Sequence, residues 1–540
     1  MSGILKSTSM GFNKNAPLLF FVIAILIIIM LSIISNIHPF IREERILEGN
    51  VVIFAGNEIG EINPNIYGIF IEHMGRCIYG GVWVGEESRI PNLMGYRLDV
   101  LEAAREIRPP VVRWPGGNFA SGYNWTDGVG PRNKRPIRSN PAWGGIETNE
   151  FGTDEFIGWC RLVGAEPYIV VNVGSGTPEL AAAWVEYCNG DANTTYGRLR
   201  AENGHPEPYN VKYWGIGNEM YGWWQIGHMN ATEYSKAVIE FAEAMKSVDP
   251  SIKLIAVGWY GAYGEPELWN RKVLQVAGKY IDYLSLHVYY GYEDYYTIVA
   301  CPLETERTLN ATIRMMESLM INLLRDGKRI EIAMDEWGVW YPEANAQNNY
   351  VQTLRLCDGI FAAGMFHVFH RLSNYVTMAN FAQFVNTLPM IVTNDRGDMY
   401  VNPVYLAFKL YRNRTGKIVL KTIVDVDGYR VDSIGITNVP YLDVSATMDE
   451  DESRLYIAVI NRHMTDKIKA TISIRDFEPK RLCEISQLNG PKWDSKNDFS
   501  SPNTVKIISQ NVNLEIANNS FTYIFEPHSV TILVLEGSRV

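Results

Sequence analysis

The stretch VKYWGIGNE, residues 211–219, is a short apolar run that ends in an amide and a carboxylate, and RIEIAMDEW, residues 329–337, has the same pattern. Short apolar runs of this kind are typical of strands buried on both faces, as in a parallel sheet covered by helices. In a closed parallel barrel the active site lies at the carboxyl ends of the strands, where Glu219 and Glu336 would stand. The two stretches therefore predict a fold and also the place of its reactive groups.

Eight such runs alternate with amphipathic helical patterns between residues 63 and 415. The runs are Ile66–Glu72, Val111–Gly117, Pro167–Gly174, Val211–Glu219, Ile252–Trp259, Tyr283–Tyr290, Arg329–Trp337 and Met365–Leu372. The helical patterns are Arg97–Ile107, Asp154–Val163, Pro178–Cys188, Thr232–Ser247, Glu306–Arg325 and Asn348–Ala363. Eight strand–helix units in about 350 residues predict an α/β fold, a (β/α)8 TIM barrel with enlarged loops. A doubly wound open sheet is the alternative, although no G-x-G-x-x-G motif follows the first run.

The helical patterns end near residue 420, and β-branched segments separated by Asn, Asp, Gly and Pro follow. This composition is typical of antiparallel sheets. We therefore divide the folded part of the chain into a barrel over residues 63–415 and a C-terminal antiparallel β-sandwich over residues 416–540. The strand-like segment Val51–Phe54 lies within a stem over residues 37–62, and we expect it to join the sheet of the sandwich.

An uncharged apolar segment occupies residues 17–36, behind a tail over residues 1–16. Its length approaches the ~20 residues that cross a hydrocarbon core, and no A-x-A-like cleavage motif follows it. We predict one N-terminal transmembrane helix that acts as an uncleaved signal anchor. Two lysines precede the segment and two arginines follow it closely, so the positive-inside rule hardly decides its orientation. We expect the body to lie outside the cell; a cleaved secretion signal and a cytoplasmic-facing body are the alternatives.

The amino-acid composition indicates which classes of ligand the protein binds. The 60 acidic and 49 basic residues leave a net charge of −11, the wrong sign for a protein that binds a phosphate backbone, so nucleic acid is not expected as a partner. The 14 Trp and 30 Tyr residues supply flat apolar faces with polar edges, which suit neutral polar ligands such as sugars. The six cysteines include no C-x-x-C pair, which argues against a zinc site and favours buried free thiols over one or two disulfides.

Two carboxyl groups at the ends of the fourth and seventh strands would face each other across the mouth of the barrel. One can protonate the leaving oxygen of a glycosidic bond while the other attacks the anomeric carbon. Either glutamate alone is more often a solvated loop residue, but Glu219 and Glu336 each follow an apolar strand and precede an aromatic residue, Tyr221 or Trp337. The pair indicates a glycoside hydrolase, whose chemistry requires no metal and no cofactor.

Further polar side chains end the other runs and would surround the two glutamates. They are Glu72, Arg113, Asn118, Asn172, Asn218, His287 and Tyr289. A neutral polyol needs directional donors and acceptors of this kind, because a site built to hydrogen-bond each hydroxyl penalises a ligand that leaves its groups unpaired. For His287 the alternative is a purely structural core histidine.

The motifs and their order resemble the α-L-arabinofuranosidases of glycoside hydrolase family 51. They are NIYGIFIEHMGRCIYGGVWVGEES from residue 65, VVRWPGGNFASGYNWTDGVGPRNKRP from 111, WGGIETNEFGTDEF from 143, GAEPYIVVNVGSGT from 164, KYWGIGNEMYG from 212, LSLHVYY from 284, MDEWGVWY from 334 and MANFAQFVN from 378. Each motif alone is weak, but the ordered set is specific. The segment MYGWWQIGHM, from residue 220, departs from the family's pattern by extra aromatic residues where leaving-group contacts are expected.

The resemblance implies a retaining mechanism, with Glu219 as the general acid/base and Glu336 as the nucleophile. The positions carried over as substrate-binding residues are Glu72, Arg113, Asn118, Asn218, His287, Tyr289, Trp340 and Gln383. It also implies a homo-oligomer, a hexamer in the family. Because an acid/base residue must hold its proton before cleavage, we expect the charge of Glu336 to raise the pKa of Glu219.

The sequence thus predicts a membrane-anchored, outward-facing enzyme that removes terminal non-reducing α-L-arabinofuranosyl residues from arabinose-containing polysaccharides or oligosaccharides. The nearest alternative is an endo-acting glucanase or xylanase on the same barrel, because loop shape decides whether the cleft is closed. A non-catalytic cell-surface glycan-binding protein is the alternative from another class, in which the two carboxylates would only hydrogen-bond sugars.

Overall fold

The computed structural model describes Met30 and residues 45–323, 329–516 and 518–540. The strands of this part of the chain are β1 (Ile46–Glu61), β2 (Gly68–Phe70), β3 (Asn92–Leu93), β4 (Tyr96–Arg97), β5 (Val111–Trp114), β6 (Arg138–Ser139), β7 (Ile146–Glu147), β8 (Glu166–Val171), β9 (Tyr213–Ile216), β10 (Lys253–Val257), β11 (Tyr283–Tyr290), β12 (Glu331–Val339), β13 (Val376–Ala382), β14 (Ile391–Thr393), β15 (Met399–Val401), β16 (Ile418–Val426), β17 (Gly428–Val431), β18 (Ile436–Pro440), β19 (Leu442–Met448), β20 (Arg454–Asn461), β21 (Lys467–Arg475), β22 (Phe477–Asn489), β23 (Lys506–Glu515), β24 (Ser520–Phe525) and β25 (Ser529–Arg539). Its α-helices are α1 (Leu98–Ile107), α2 (Thr153–Val163), α3 (Pro178–Asn189), α4 (Thr195–Glu202), α5 (Ala231–Val248), α6 (Glu265–Ala277), α7 (Tyr295–Leu323), α8 (Leu356–Arg371) and α9 (Pro403–Asn413).

Eight parallel strands close into a barrel in the order β2, β5, β8, β9, β10, β11, β12 and β13. The spatial order follows the chain order, and β13 returns to β2 with Asn380 opposite Gly68. A helix follows each barrel strand, and the side chains of Val112, Ile169 and Trp214 are completely buried in the wall between strands and helices. The arrangement confirms the predicted (β/α)8 barrel and excludes the open sheet.

The prediction of the eighth strand at Met365–Leu372 is wrong, because these residues lie in α8 and the turn after it, and β13 is the eighth strand. Every residue of α8 from Leu356 to His370 is buried, since the helix packs between its neighbouring helices and the strands β19, β20 and β25. A helix buried on all sides has no polar face, so periodicity alone cannot distinguish it from a buried strand. The helix predicted at Asn348–Ala363 is displaced for the same reason and begins at Leu356.

A nine-stranded sheet forms the C-terminal β-rich domain, in the order β23, β22, β25, β20, β19, β16, β1, β21 and β24. The N-terminal strand β1 joins it, as we expected for Val51–Phe54, by pairing antiparallel with β16, with Val51 opposite Val424. One hydrophobic core takes in Val51, Ile457, Ile472 and Leu533, which come from strands across the whole sheet. The strands of this sheet therefore share one apolar core, and together they form a β-rich C-terminal domain.

The sequence predicts an N-terminal membrane anchor over residues 17–36. Residues 17–36 lie outside the described part of the chain, apart from Met30. Among the described residues, no helix has the length and apolar character that crossing a bilayer requires.

All six cysteines lie in the described part of the chain, and none is in a disulfide. Five are buried and Cys483 is half-buried. The prediction of scattered buried thiols is confirmed for these five.

Candidate active site

The carboxyl ends of the barrel strands surround a cavity of about 330 Å³. The lining residues are Glu72, Met74, Gly117, Asn118, Trp143, Glu219, Trp224, Tyr289, Glu336, Trp340, Gln383 and Leu388. Seven of the ten predicted site residues are among them. The other three, Arg113, Asn218 and His287, lie directly behind the lining and hold its side chains in place.

Glu336 lies on β12 and is almost completely buried. Arg113, on β5, donates from Nη1 to Oε1 at 2.5 Å, and Tyr289, on β11, donates its hydroxyl to Oε2 at 2.7 Å. Gly117 approaches so closely that a β-carbon there would stand 2.8 Å from Oε1 of Glu336. The WPGG turn after β5 thus leaves room for a carboxylate that is held by both of its oxygens.

Glu219 follows β9 with a φ of 43°, a left-handed conformation that is uncommon for a residue with a side chain. His287 donates from Nδ1 to Oε1 of Glu219 at 2.9 Å, and Trp224 donates its indole N–H to Oε2 at 2.9 Å. One carboxylate oxygen of Glu219, one of Glu336 and a ring nitrogen of His287 all lie within 4.8 Å of one another. Two of the carboxylate oxygens therefore approach much more closely than the ~6.5 to 9.5 Å of an inverting pair, as is typical of a retaining pair.

The protonation of this cluster differs from our expectation for Glu219. Burial alone would raise the pKa of Glu219, but hydrogen bonds from His287 and Trp224, together with the imidazolium charge, lower it overall. Burial alone would lower the pKa of His287, yet the charge of Glu336 and hydrogen bonds to Asp335 and Glu219 raise it to about 10. At neutral pH the proton therefore resides on His287, and the expectation of a raised pKa for Glu219 is wrong.

Asp335 is a buried anion behind the site that the sequence analysis did not single out. Its Oδ1 accepts from the Ser285 hydroxyl at 2.6 Å and lies 3.4 Å from Nε2 of His287, while its Oδ2 lies 3.4 Å from Nε of Arg113. Burial alone would raise the pKa of Asp335, but the charges of Arg113 and His287 lower it to about 2. Asp335 therefore balances both cations that contact the two glutamates, and its one sequence signal is its place in the motif MDEW.

Glu72, which follows β2, also lines the cavity. Its Oε1 accepts from the backbone N–H of Phe119 at 3.1 Å and the indole N–H of Trp143 at 2.8 Å, and its Oε2 accepts from Nε2 of Gln383 at 3.2 Å. Burial and then the charge of Glu336 raise the pKa of Glu72 to about 7. Near neutral pH this carboxyl group can both donate to and accept from a sugar hydroxyl. Trp143 was missed as an individual residue, although it opens one of the matched motifs.

A chain of amides orients Asn118 at the cavity wall. Asn218 accepts from Nη2 of Arg113 at 2.7 Å and donates from Nδ2 to Oδ1 of Asn118 at 3.4 Å. Gln225 also donates to this oxygen, and its own Oε1 accepts from the Ser121 hydroxyl at 2.8 Å. Gln225 was not predicted as a site residue, and it lies in the segment that departs from the family's pattern.

Trp340 closes the side of the cavity next to Tyr289. The two rings meet edge to face with centroids 5.5 Å apart, and Tyr350 packs against the other side of Trp340 at 6.0 Å. The indole N–H of Trp340 donates to the carbonyl of Ala344 at 2.9 Å. Trp340 therefore presents a fixed apolar wall.

Asn172 is the one strand-end candidate that the structure does not bring to the cavity. Its Oδ1 accepts from the backbone N–H groups of Ser175 and Gly176, and its Nδ2 donates to the carbonyl of Tyr123. These hydrogen bonds stabilise the turn after β8, so the role of Asn172 is structural.

Two family models match the chain. The model described as "Alpha-L-arabinofuranosidase 1 domain" matches residues 103–300, and the model described as "Alpha-L-arabinofuranosidase C-terminal domain" matches residues 335–529. The first match contains Glu219 and the second contains Glu336.

Relatives of known name match along most of their length. The chain is 38% identical to alpha-L-arabinofuranosidase C of Emericella nidulans over 78% of this chain and 86% of the relative. It is 33% identical to the intracellular exo-alpha-(1->5)-L-arabinofuranosidase 1 of Bacillus subtilis over 91% of this chain and 99% of the relative. Among solved structures, the arabinose complex of an alpha-L-arabinofuranosidase from Thermotoga maritima is 42% identical, with a TM-score of 0.84 over 91% of this chain and 100% of that chain.

Proposed function

The chain belongs to the α-L-arabinofuranosidases of glycoside hydrolase family 51, and we propose that its cavity removes single terminal α-L-arabinofuranosyl residues from the non-reducing ends of arabinose-containing glycans. Membership makes the protein a glycoside hydrolase of the retaining, exo-acting kind, and the endo-glucanase, xylanase and glycan-binding alternatives are not favoured. The observation that carries the proposal is the approach of Glu219 and Glu336 to within 4.8 Å in one cavity.

In the first step, a carboxylate oxygen of Glu336 forms a bond to the anomeric carbon, and the bond from that carbon to the leaving oxygen breaks. The electron pair stays on the leaving oxygen, which takes a proton from Glu219. The hydrogen bonds from Arg113 and Tyr289 hold the attacking carboxylate in one position. Such positioning lowers the entropic cost of reaching the transition state.

The proton that Glu219 gives up comes from His287, across their hydrogen bond of 2.9 Å. The negative charge of Glu336 is the main interaction that raises the pKa of His287. This charge disappears as the ester bond forms, so the pKa of His287 falls and the proton moves to Glu219 when the leaving oxygen needs it.

In the second step, a water molecule takes the place of the leaving group. Glu219, now ionised, accepts a proton from this water, whose oxygen attacks the anomeric carbon while the ester bond to Glu336 breaks. The electron pair returns to the carboxylate of Glu336, and its restored charge draws the proton back to His287. Two displacements at one carbon give net retention of configuration.

The cavity supports recognition of one small sugar. Its volume of about 330 Å³ lies at the lower end of the ~300 to 1,000 Å³ of ligand pockets, as a single terminal residue requires. Glu72, Asn118 and Gln383 supply polar groups along the wall for the sugar hydroxyls. Trp143 and Trp340 supply apolar faces between them.

The proposal is tested with nitrophenyl α-L-arabinofuranoside and the chain lacking residues 1–44. We expect Glu336→Ala to lower kcat by roughly 10⁴-fold or more, since no other group can form the ester. For Glu219→Ala, added azide should restore turnover by attacking the glycosyl-enzyme without needing a base. Glu343→Ala, an exposed glutamate of the loop after β12, serves as the matched control and should retain the parent rate. A parent-like rate in Glu336→Ala would exclude this residue as the nucleophile.

For the N-terminal segment we propose a membrane anchor over residues 17–36 that holds the body outside the cell. The support is the uncharged apolar run itself. Protease treatment of intact cells tests the orientation: digestion of the body supports the proposal, and protection points to a cytoplasmic-facing body. Recovery of a soluble secreted chain that starts after residue 36 would show that the segment is a cleaved signal.

The oligomeric state is proposed from the family resemblance as a homo-oligomer, with a hexamer as the expected form. Sedimentation of the chain lacking residues 1–44 tests it, and a monomer at micromolar concentration would contradict the proposal.

A further inference from the structure

Two exposed tryptophans stand side by side next to Glu219. Trp223 is 80% exposed and Trp224 is 46% exposed, whereas every other tryptophan of the chain is buried or half-buried. Leaving so much indole surface in water forgoes the large burial free energy of this side chain. Adjacent exposed aromatic rings at the rim of a cavity are therefore a sign of a surface that a ligand covers.

Trp224 is the inner ring of the pair and lines the cavity. Its indole N–H donates to Oε2 of Glu219 at 2.9 Å. The ring lies over Gly222, where an added β-carbon would stand 2.3 Å from Cε2 of Trp224, and Tyr221 meets it edge to face at 6.1 Å. Because Glu219 protonates the leaving oxygen, the leaving group must begin beside this fixed ring.

Trp223 is the outer ring and extends the same surface away from the cavity. Its ring stands at 82° to that of Trp224, with centroids 5.9 Å apart. Tyr221, which meets Trp224 edge to face, itself stacks on Trp259 at 4.5 Å with an interplanar angle of 2°. The inner ring is therefore held by packed aromatic rings, and the outer ring continues its surface from the place where the leaving group starts.

We propose that Trp223 forms a second leaving-group subsite, which binds the sugar one unit beyond the one next to the cleaved bond. A sugar ring presents a face of C–H groups that packs on an indole while its hydroxyls remain in water, so the contact suits a chain of neutral sugars. The inference rests on the proposed function and specifies its substrate class. The preferred substrates carry the arabinofuranosyl group on a chain of at least two further sugars.

The experiment compares substrates of different leaving-group length: nitrophenyl α-L-arabinofuranoside, and arabinofuranosyl oligosaccharides whose leaving groups contain one, two or three sugars. The variants are Trp223→Ala, Trp223→Phe, which keeps an aromatic face, and the control Leu268→Ala, an exposed apolar residue of α6. For Trp223→Ala we expect KM to rise roughly three- to tenfold more with two- and three-sugar leaving groups than with the nitrophenyl substrate. Trp223→Phe should recover most of this loss, and Leu268→Ala should match the parent throughout.

Equal losses by Trp223→Ala on every substrate would overturn the subsite, because they would mean that Trp223 acts only by supporting Trp224. Parent-like KM values on the longest substrates would overturn it as well. Failure of the proposed function is a different outcome, in which the parent releases no arabinose from any of these substrates, the nitrophenyl glycoside included.

Discussion

His287 is the residue on which the charge balance of the active site depends. Its Nδ1 lies 2.9 Å from Glu219 and 3.6 Å from Glu336, and its Nε2 faces Asp335. One cation thus stands among three carboxylates. Because groups this close titrate together, the proton that catalysis uses belongs to the pair of His287 and Glu219 rather than to the acid alone.

Replacing His287 should shift the alkaline limb of the pH profile of activity to lower pH, because the imidazole then no longer helps to hold the proton that Glu219 uses. In the parent, the pair keeps its proton up to the raised pKa of His287, about 10. In His287→Gln, Glu219 must hold the proton alone, and a carboxyl group loses it at lower pH. We expect the alkaline limb of kcat/KM on the nitrophenyl substrate to move down by about one pH unit or more.

The matched control for this measurement is His205→Gln, which removes an exposed histidine remote from the cavity lining. Its pH profile should overlay that of the parent. An unchanged alkaline limb in His287→Gln would mean that Glu219 holds its proton without help from the imidazole.

At the scale of elements, helix α8 joins the barrel to the β-rich domain through a buried ion cluster. Asp443, on β19, accepts from Nη1 of Arg371 at 3.0 Å and from Arg462, and it lies 3.2 Å from Nδ1 of His367. Burial alone would raise the pKa of Asp443, but the charges of Arg462 and Arg371 hold it well below its usual range. One carboxylate therefore ties the helix to the sheet that covers it.

Asp443→Asn should destabilise the fold strongly at neutral pH, because it leaves the buried guanidinium of Arg462 without its anion. We expect a loss of about 3 to 5 kcal/mol in the free energy of unfolding. The folded-state pKa of Asp443 is depressed, so its contribution is fully present above the unfolded value of ~3.9 and is lost as the pH falls through the folded value. The difference between parent and variant should therefore shrink below about pH 4.

Urea unfolding at pH 7 and at about pH 3 measures both effects. Asp425→Asn, an exposed aspartate on β16, is the control and should cost little at either pH. A deficit in Asp443→Asn that stays constant between the two pH values would contradict the depressed pKa.

At the scale of the whole molecule, we expect the β-rich domain to contribute to the stability of the barrel. The chain enters through β1, which pairs with β16 of the C-terminal sheet before the first barrel strand begins. Helix α8 is buried from Leu356 to His370 partly against β19, β20 and β25. A barrel without the sheet would leave β1 unpaired and a large apolar helix face in water.

Removing residues 416–540 should therefore yield an insoluble or unfolded chain, whereas removing residues 1–44 should leave a folded and active enzyme. Thermal unfolding followed by circular dichroism and activity on the nitrophenyl substrate check both truncations. A soluble chain of residues 45–415 with a cooperative transition and parent-like activity would show that the barrel folds alone.

Much of the fold and of the site could be predicted because the informative signals are local. Seven of the eight barrel strands overlap the predicted short apolar runs, and Glu219 and Glu336 lie just after β9 and in the C-terminal half of β12. The eighth strand was missed because α8 is buried on every side, a property of its surroundings. Trp143, which lines the cavity, and Gln225, which donates to Asn118, were missed because they lie on loops and not on strands.

Seven of the eight strands, the two carboxylates and the class of chemistry follow from the amino-acid pattern alone, since each depends on residues adjacent in the chain. The proton state of the site does not, because it depends on distances between β9, β11 and β12 that exist only once the barrel closes. Only there does His287 meet three carboxylates, so that its pKa rises and that of Glu219 falls. The role of Trp223 and Trp224 likewise depends on the tertiary structure, which places Trp224 beside Glu219 and Trp223 against Trp224. A tryptophan pair elsewhere on the surface would contact no leaving group.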